Sequence, residues 1–313
     1  MKALVTGGAG FIGSHLVDAL LERGDEVLVI DNLSSGRREN LAGAIGAGAQ
    51  LVEADVTDVA AVADLFEQHR PEVVFHLAAQ IDVRRSVADP VYDLSVNVAG
   101  TLNLLEAGRV NETSRFVLAS TGGAIYGEGA KLDLPLDETA QCRPDAPYGQ
   151  SKFAAEGYAS LYGRLYGLKA TALRLGNVYG PRQDPHGEAG VVAIFCGALL
   201  SGGTPKVFGD GNQTRDYVFV GDVVEAFAAA ASAEVEGTYN VGTGVETSVL
   251  ELGELIGGVC DRPFEPELAP PRAGEVQRIA IDSGRAGEEL GWRARTALVD
   301  GLRETATSFA AIT

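Results

Sequence analysis

The chain is short of cysteine and of cationic side chains, and each shortage excludes a class of protein. Among 313 residues there are 3 cysteines, Cys142, Cys196 and Cys260, which are widely spaced and show no paired metal-ligand pattern. They fit a reduced cytosolic setting and indicate no metal site. Lys and Arg number 25 against 43 Asp and Glu, so the net charge is −18. Nucleic acids and anionic membranes need clustered cations, so we expect neither as a partner.

Long apolar runs are also missing. The most apolar stretch, Val191–Leu200, is far shorter than the about 20 residues that span a bilayer. The glycine-rich start has no signal-peptide cleavage region. We therefore expect a cytoplasmic protein whose length fits one large domain or two closely joined ones.

What is present is an alternation of apolar strands with amphipathic helices. It predicts strands at residues 3–6, 26–31, 50–54, 73–78 and 115–120, and helices at 11–23, 59–69 and near 93–107. Strands separated by such helices pair in parallel through right-handed crossovers. The sequence therefore predicts the α/β class, with a doubly wound parallel sheet of the Rossmann type.

The pattern changes after residue 175. The sequence predicts two further helix–strand pairs: a helix from about residue 148 with a strand at 169–174, and a helix at 223–231 with a strand at 238–241 that adds to the sheet. It predicts loops at 181–188 and at the proline-rich 263–271. We predict a cofactor domain of residues 1–175 plus 216–245. A smaller, discontinuous C-terminal substrate domain comprises residues 176–215 plus 246–313.

The first predicted site is the turn at Gly7, Gly10 and Gly13, directly between a strand and a helix. Glycines at this spacing let a dinucleotide pyrophosphate approach the helix N-terminus. Asp31 closes the second strand, where it can accept hydrogen bonds from both adenosine-ribose hydroxyls. It would repel a 2′-phosphate, so NAD is favoured over NADP.

The ends of later strands complete this site. Asp55 and Val56 are expected to bracket the adenine, and residues 78–80 to run beneath the middle of the cofactor. Arg37 and Arg38 are alternative 2′-phosphate ligands, but solvent exposure is the simpler expectation for both. The predicted cofactor residues are Gly7, Gly10, Phe11, Ile12, Gly13, Asp31, Asn32, Ser35, Gly36, Asp55, Val56, Leu77, Ala78, Ala79, Gln80, Tyr148 and Lys152.

The second predicted site is a tyrosine and a lysine on one helix face, Tyr148 and Lys152, one turn apart. A nearby ammonium stabilises a phenolate, so we expect the Tyr148 pKa to fall below its usual value of about 10. Such a pair can serve as acid and base beside a nicotinamide. Hydroxyls at the strand end, Ser120 and Thr121, lie before it. Together the two sites indicate a nucleotide-dependent redox enzyme.

These motifs, in this order, resemble the extended short-chain dehydrogenase/reductase family and, within it, the UDP-sugar 4-epimerases. The resemblance covers nearly the whole chain. Its segments are residues 6–13, 31–36, 55–56, 76–80, Tyr148 with Lys152, 177–183, 215–217 and 272–275.

The resemblance implies NAD-dependent inversion at carbon 4 of a UDP-sugar through a transient 4-keto sugar, with UDP-glucose and UDP-galactose as the expected pair. Tyr148 would exchange the proton of the 4-hydroxyl, and Lys152 would tune it and hold the nicotinamide ribose. A homodimer through paired helices, at 93–107 and 148–166, is also implied. The implied substrate residues are Asn177, Val191, Val207, Phe208, Arg215, Arg272, Glu275, Arg84 and Ile279.

The chain departs from the family pattern after the fifth strand. The usual catalytic hydroxyl would fall at Gly122, so we assign its role to Thr121, with Ser120 in reserve. The Asp-Glu pair of related 4,6-dehydratases is missing from residues 122–124, which argues against dehydration.

The choice of sugar stays open. Asp184 stands where some relatives have an arginine, and an acid there would repel a uronate, which favours a neutral hexose. Arg84 or Arg85 could still bind a uronate, and Ile279 does not decide whether an N-acetyl group fits. The alternatives are a UDP-glucuronate 4-epimerase, a UDP-N-acetylglucosamine 4-epimerase and, more distantly, a non-catalytic NAD-binding regulator.

Overall fold

A seven-stranded parallel sheet forms the centre of the fold in the computed structural model, which describes residues 1–128, 133–185, 190–271 and 276–311. The strands are β1 (Lys2–Thr6), β2 (Glu26–Asp31), β3 (Gln50–Glu53), β4 (Val73–His76), β5 (Arg115–Thr121), β6 (Lys169–Leu175), β7 (Asn177–Tyr179), β8 (Lys206–Phe208), β9 (Thr214–Arg215), β10 (Tyr217–Phe219), β11 (Gly237–Val241), β12 (Thr247–Ser248) and β13 (Glu267–Ala269). The helices are α1 (Phe11–Glu22), α2 (Ala42–Gly46), α3 (Val59–His69), α4 (Val83–Ala88), α5 (Pro90–Leu94), α6 (Gly100–Val110), α7 (Gly122–Ile125), α8 (Pro147–Tyr166), α9 (Val191–Leu200), α10 (Val220–Ser232), α11 (Val249–Cys260) and α12 (Leu298–Ala310).

The strand order of the sheet is β3-β2-β1-β4-β5-β6-β11, and every neighbouring pair is parallel. The order reverses between β1 and β4, and ligands of such sheets bind in the crevice at the carboxyl ends of the strands beside this reversal. Thr6, Asp31, His76 and Thr121 end their strands at this edge. The predicted Rossmann fold is confirmed.

Helices cover both faces of the sheet. Leu16 of α1 and Phe227 of α10 are fully buried on one face, and Phe66 of α3 and Leu104 of α6 on the other. Burying a side chain of this size contributes about 1.5–3 kcal/mol each. Two covered faces also explain why the central strands are apolar throughout rather than alternating.

One long helix carries a local distortion. α5, a π-helical turn at Ser95–Ala99 and α6 run continuously from residue 90 to 110, where the sequence predicts a helix near 93–107. Such turns occur mostly as single interruptions of α-helices, often beside functional sites. Here the turn carries Asn97 toward the end of β4.

The C-terminal part has its own apolar cluster, in which Tyr179, Phe195, Leu252 and Leu302 are buried together. The prediction of irregular structure for residues 263–271 is wrong at one place, because β13 forms there and pairs in parallel with β8. The prolines at 266 and 270 flank the strand instead of interrupting it, so its amide donors are kept.

The predicted division into two domains stays a prediction. β11 adds to the edge of the large sheet next to β6, as expected for its segment. β10 falls in the predicted cofactor part but pairs with β7 of the other part, so the two parts share a small sheet. Within the described ranges, no helix combines the length and apolar character needed to cross a membrane.

Candidate active site

The glycine turn between β1 and α1 is closed so tightly that side chains are excluded from it. Gly7 has a φ of 69°. A Cβ added to Gly13 would lie 2.2 Å from the Gly7 carbonyl oxygen, and one added to Gly7 would lie 2.7 Å from the Ala78 nitrogen. The N-cap residue of α1, Gly10, offers no side-chain cap, and the first turn holds no acidic residue. The first amides of α1 are therefore left for an anion such as a pyrophosphate.

Asp31 lies beside this turn and accepts two backbone hydrogen bonds. Its Oδ2 accepts from the Ala9 amide at 2.9 Å, and its Oδ1 accepts from the Leu33 amide at 2.8 Å. Burial raises the pKa of Asp31, and the two amide donors oppose that rise. Gly36 lies against the same carboxylate, because a Cβ added to Gly36 would lie 2.8 Å from Asp31 Oδ1. Each oxygen keeps a second lone pair, which a ribose hydroxyl can use.

Both arginines after this turn are engaged by carboxylates. Arg37 Nη2 lies 2.7 Å from Asp184 Oδ2, and Arg38 Nη2 lies 2.7 Å from Glu53 Oε2. Each arginine side chain is more than half exposed. From the sequence, Asp184 is expected to repel a uronate carboxylate. Because Arg37 compensates the charge of Asp184, this repulsion is weak, and Asp184 says little about the choice of sugar.

The region expected to bind the adenine lies after β2 and β3, where a hydrogen bond connects the two segments. Asn32 Nδ2 donates to Asp55 Oδ2 at 2.7 Å. Burial alone would raise the pKa of Asp55, but hydrogen bonds from Thr57 and Asn32 outweigh it, so the pKa is lowered. Val56 is buried against α6, where an added Cβ on Gly100 would lie 2.7 Å from its Cγ2.

A chain of hydrogen bonds fixes the residues after β4. The Ala78 amide donates to Thr6 Oγ1 at 3.2 Å, and Thr6 Oγ1 lies 2.7 Å from His76 Nδ1. His76 Nε2 lies 3.0 Å from Thr101 Oγ1, and the Thr101 hydroxyl donates to the Asn97 carbonyl at 2.7 Å. Because the Thr101 proton is used on that carbonyl, the ring hydrogen of His76 is on Nε2. Burial lowers the pKa of His76 to about 3, so the ring is neutral.

The position of Tyr148, in the first turn of α8, depends on the glycine that follows it. An added Cβ on Gly149 would lie 2.5 Å from the Ala124 carbonyl oxygen, so only glycine lets α8 approach the turn after β5 this closely. The approach brings the Tyr148 phenol close to the Thr121 hydroxyl, which acts to lower the pKa of the phenol. The Tyr148 amide in turn donates to Ser86 Oγ at 3.1 Å.

The expected fall in the pKa of Tyr148 is not found. Burial and the charge of Asp93 raise the Tyr148 pKa to about 12, and the hydrogen bond with Thr121 opposes them only in part. A phenolate here loses hydration and is repelled by the nearby carboxylate. The phenol is therefore protonated at neutral pH.

Lys152 lies one turn further along α8 and is almost completely buried, with 4% of its surface exposed. Its Nζ donates to the Ala119 carbonyl at 3.0 Å. Burial lowers the pKa of Lys152 to about 8, and the charges of Asp93 and Glu156 oppose the fall. The ammonium form therefore dominates at neutral pH, close to its transition.

Ser120, the second candidate for the catalytic hydroxyl, is hydrogen-bonded to a buried ion pair. It donates to Glu156 Oε1 at 2.5 Å, and Arg174 Nη2 donates to Glu156 Oε2 at 2.7 Å. Arg174 also donates to the Tyr126 hydroxyl at 2.9 Å. Ser120 therefore joins β5 to α8, which leaves Thr121 as the strand-end hydroxyl beside the tyrosine.

The glycines after Thr121 lie close to two other segments of the chain. An added Cβ on Gly122 would lie 2.6 Å from Ile281 Cδ1, so the Ile281 side chain would have to shift to admit a hydroxyl-bearing residue there. An added Cβ on Gly123 would lie 3.6 Å from Asn177 Oδ1. The structure thus brings the predicted substrate residue Asn177 to the same turn.

The remaining predicted residues are more dispersed. They are Ser35, exposed after β2; Phe11 and Ile12, partly buried at the start of α1; Leu77 and Ala79, partly buried, and Gln80, buried, after β4; Val191 at the start of α9; Val207 and Phe208 in β8; Arg215 in β9; and Ile279, buried with Ile125, Tyr126 and Leu136. Arg84 lies on α4 with 69% of its side chain exposed, 3.9 Å from Asp82. Arg272 and Glu275 lie outside the described residues.

Sequence reasoning missed a second layer of buried polar groups beneath the tyrosine and the lysine. Asp93, Asn97 and Thr101 follow one another at intervals of four residues, as do Lys152 and Glu156. Polar residues at helical spacing on a helix expected to be buried are a usable signal, because buried polar groups need partners.

Several known proteins are similar to this chain over almost its whole length. The model of the NAD dependent epimerase/dehydratase family matches residues 3–242. A UDP-glucose 4-epimerase of Mycolicibacterium smegmatis is 50% identical over 311 residues, 99% of this chain and 98% of the relative. The structure of Thermotoga maritima UDP-glucose 4-epimerase with UDP-glucose has a TM-score of 0.96 and 46% identity, covering 100% of this chain and 99% of that one. The Thermus thermophilus UDP-glucose 4-epimerase complex with NAD has a TM-score of 0.92 and 47% identity, covering 99% of each chain.

The fold and the site together define a Rossmann-fold enzyme of the short-chain dehydrogenase/reductase type. A family model that matches most of the chain makes the assignment more specific. The chain belongs to the NAD dependent epimerase/dehydratase family, which confirms the family and the NAD cofactor predicted from the sequence.

Proposed function

We propose that this protein interconverts UDP-glucose and UDP-galactose by inverting carbon 4 through a transient 4-keto sugar. The observation that carries the proposal is the convergence of Thr121, Tyr148 and Lys152 beside the reversal of strand order. It occurs in a chain that is 50% identical, over almost its whole length, to a protein named UDP-glucose 4-epimerase.

The chain's own residues fit NAD. The uncapped N-terminus of α1 suits a pyrophosphate, and Gly7 and Gly13 leave no side chain in its way. Asp31 can accept from the adenosine ribose and repels a 2′-phosphate, while nearby Arg37 is engaged by Asp184. When bound, NAD supplies the acceptor and then the donor of the hydride of carbon 4.

Tyr148 is the proposed proton-exchanging group. Tyr148 is protonated in the free chain at neutral pH, so it must first give up its own proton. Its phenolate then takes the 4-hydroxyl proton while hydride leaves carbon 4, which leaves the 4-keto sugar. Return of the proton to the 4-oxygen and of the hydride to the opposite face of carbon 4 gives the epimer and restores the starting state of the enzyme. Thr121, close to the phenol, is proposed to hold the sugar 4-oxygen. The buried ammonium of Lys152, one turn further along α8, is proposed to stabilise the phenolate that accepts the proton.

The nucleotide half of the substrate is proposed to remain anchored while the 4-keto sugar turns over. Asn177, Arg215 and Arg272 are the proposed pyrophosphate contacts, and Glu275 the ribose contact. The placement of Asn177 beside Gly123 supports its role, since it lies next to the turn that carries Thr121. Anchoring of this kind keeps a reactive intermediate in place without a covalent bond.

The homodimer and the cytoplasmic location also remain proposals. Large apolar side chains on neighbouring helices are exposed, including Val91 at 75%, Leu94 at 54% and Tyr166 at 53%. Exposed apolar patches commonly mark interfaces, which supports pairing through α5, α6 and α8. A mass of one chain, about 33 kDa, at micromolar concentration in analytical ultracentrifugation would contradict the dimer.

The test of the proposed function is a set of separate incubations of NAD-loaded protein with UDP-glucose, UDP-galactose, UDP-glucuronate and UDP-N-acetylglucosamine. We expect interconversion of the two hexoses. Preferred conversion of UDP-glucuronate would favour the uronate epimerase, an alternative that Arg84 on α4 keeps open. Preferred conversion of UDP-N-acetylglucosamine would favour the third epimerase, and no conversion at all would favour the NAD-binding regulator.

A further inference from the structure

A carboxylate that has no part in the mechanism so far lies buried behind the tyrosine and the lysine. Asp93, at the end of α5, has no exposed surface. Its Oδ1 accepts from Gln80 Nε2 at 2.9 Å and from Asn97 Nδ2 at 3.0 Å. Its Oδ2 accepts from the Ser151 hydroxyl at 2.6 Å. Donors therefore point at both oxygens, an arrangement that an ionised carboxylate satisfies.

Every one of these donors is neutral. Within the described ranges, Asp93 forms no ion pair, and neither does Lys152, whose Nζ donates to the Ala119 carbonyl. A buried charge without an opposite charge is strongly unfavourable. Asp93 accepts from Ser151, and Lys152 is the next residue, so two buried groups of opposite charge lie near each other without forming an ion pair.

The surroundings of Lys152 leave Asp93 as its main counter-charge. The titratable and charged groups around Lys152 are Asp93 on α5, Tyr148 and Glu156 on α8, His76 on β4, and Arg174 on β6 behind Glu156. His76 is neutral, and the charge of Glu156 is compensated by the bidentate Arg174. Of the two carboxylates, Asp93 also raises the pKa of Lys152 more.

The same carboxylate ties together the elements that form the site. Through Gln80 it holds the segment after β4, through Asn97 the π-helical turn, and through Ser151 the first turns of α8. The Asn97 side chain also donates to the Gln80 carbonyl at 2.9 Å, and the Gln80 amide donates back to Asn97 Oδ1 at 3.0 Å. The cofactor segment and the catalytic helix are thus fixed by one buried group.

We propose that Asp93 is a positioning residue for this reaction, which holds the first turns of α8 and supplies the buried negative charge that keeps Lys152 protonated. The proposal rests on the proposed function for its activity readout. Its electrostatic part can be measured directly on Lys152 in the NAD-loaded protein, whether or not a UDP-sugar is converted.

The experiment is a titration of Lys152 by NMR in protein with isotope-labelled lysine, between pH 6 and pH 10. The chain has five lysines, so the signals are few, and a Lys152→Arg sample assigns the one of interest. In Asp93→Asn we expect the Lys152 midpoint to fall by at least about one pH unit, a tenfold change in its protonation equilibrium. We expect kcat to fall at every pH, because an amide cannot accept from Gln80, Asn97 and Ser151 at once, and its alkaline limit should move down with the Lys152 midpoint.

Two matched variants separate charge from packing. Ser151→Ala removes one hydrogen bond but keeps the carboxylate, and Asp222→Asn makes the same change at a buried carboxylate on α10, across the sheet. Both should leave the Lys152 midpoint in place. A loss of kcat in Asp93→Asn at every pH, with an unmoved Lys152 midpoint, would overturn the proposal. If Asp93→Asn does not fold, the wild-type titration decides: a Lys152 already neutral at pH 7 overturns the proposal, and a charged one supports it.

Discussion

The Ser120 hydroxyl donates a 2.5 Å hydrogen bond to the Glu156 carboxylate, which gives the two hydroxyls at the end of β5 different tasks. Ser120 is held inside a buried ion pair, whereas Thr121 faces Tyr148. The structure therefore separates a stabilising hydroxyl from one that can reach a substrate.

This separation predicts opposite phenotypes for two neighbouring substitutions. Thr121→Val should lower kcat by at least about a hundredfold, the scale of a lost hydrogen bond to the reacting oxygen, with little change in stability. Ser120→Ala should lower the free energy of unfolding by about 1–3 kcal/mol, because a buried charged acceptor loses a donor, and keep most of the activity. Steady-state rates and urea unfolding of both variants check this. The reverse pattern would assign catalysis to Ser120.

The buried pair itself should matter for stability. Glu156→Gln leaves the Arg174 guanidinium buried without an opposite charge, so the free energy of unfolding should fall by about 3–5 kcal/mol. Asp300→Asn, which breaks the exposed pair with Arg303, is the control and should change little. Urea unfolding at pH 7 measures both. Equal losses in the two variants would contradict the account of the pair.

The glycine turn offers a prediction about the cofactor. Gly13→Ala should weaken NAD binding at least about tenfold, because its Cβ would meet the Gly7 carbonyl and a tenfold loss needs only about 1.4 kcal/mol. Gly43→Ala in α2, where an added Cβ meets no atom within 4 Å, should bind NAD normally. NAD content after purification and a calorimetric titration give the comparison. Normal NAD binding by Gly13→Ala would show that this turn does not carry the pyrophosphate.

His76 gives a prediction about pH. Its pKa is about 3 when folded and 6.5 otherwise, so between these values the unfolded chain binds a proton that the folded one does not. Stability therefore falls as pH falls through this window, by up to about 1.4 kcal/mol per unit from this group. His76→Gln lacks this contribution, so its free energy of unfolding should depend less steeply on pH between 6 and 4.5. Identical slopes for the two proteins would contradict a buried, neutral His76.

The sequence predicts the sheet and the strand-end residues well, because the alternation of strands and helices dictates a parallel sheet whose carboxyl ends meet. Gly7, Asp31 and Tyr148 are recognisable because each stands next to a predicted element boundary. The partners of buried charges are not predictable in this way. Asp93 and Glu156 act through contacts between distant segments, and the raised pKa of Tyr148 arises from burial that local sequence does not reveal.

Proton exchange by Tyr148 can be tested by the rate of UDP-galactose conversion in Tyr148→Phe protein that is folded and loaded with NAD. Tyr158→Phe, the same change at a more exposed position of α8, is the control and should retain the wild-type rate. For Tyr148→Phe we expect a loss of at least about a hundredfold in rate, with NAD content unchanged. A Tyr148→Phe rate close to that of the control would contradict proton exchange by Tyr148.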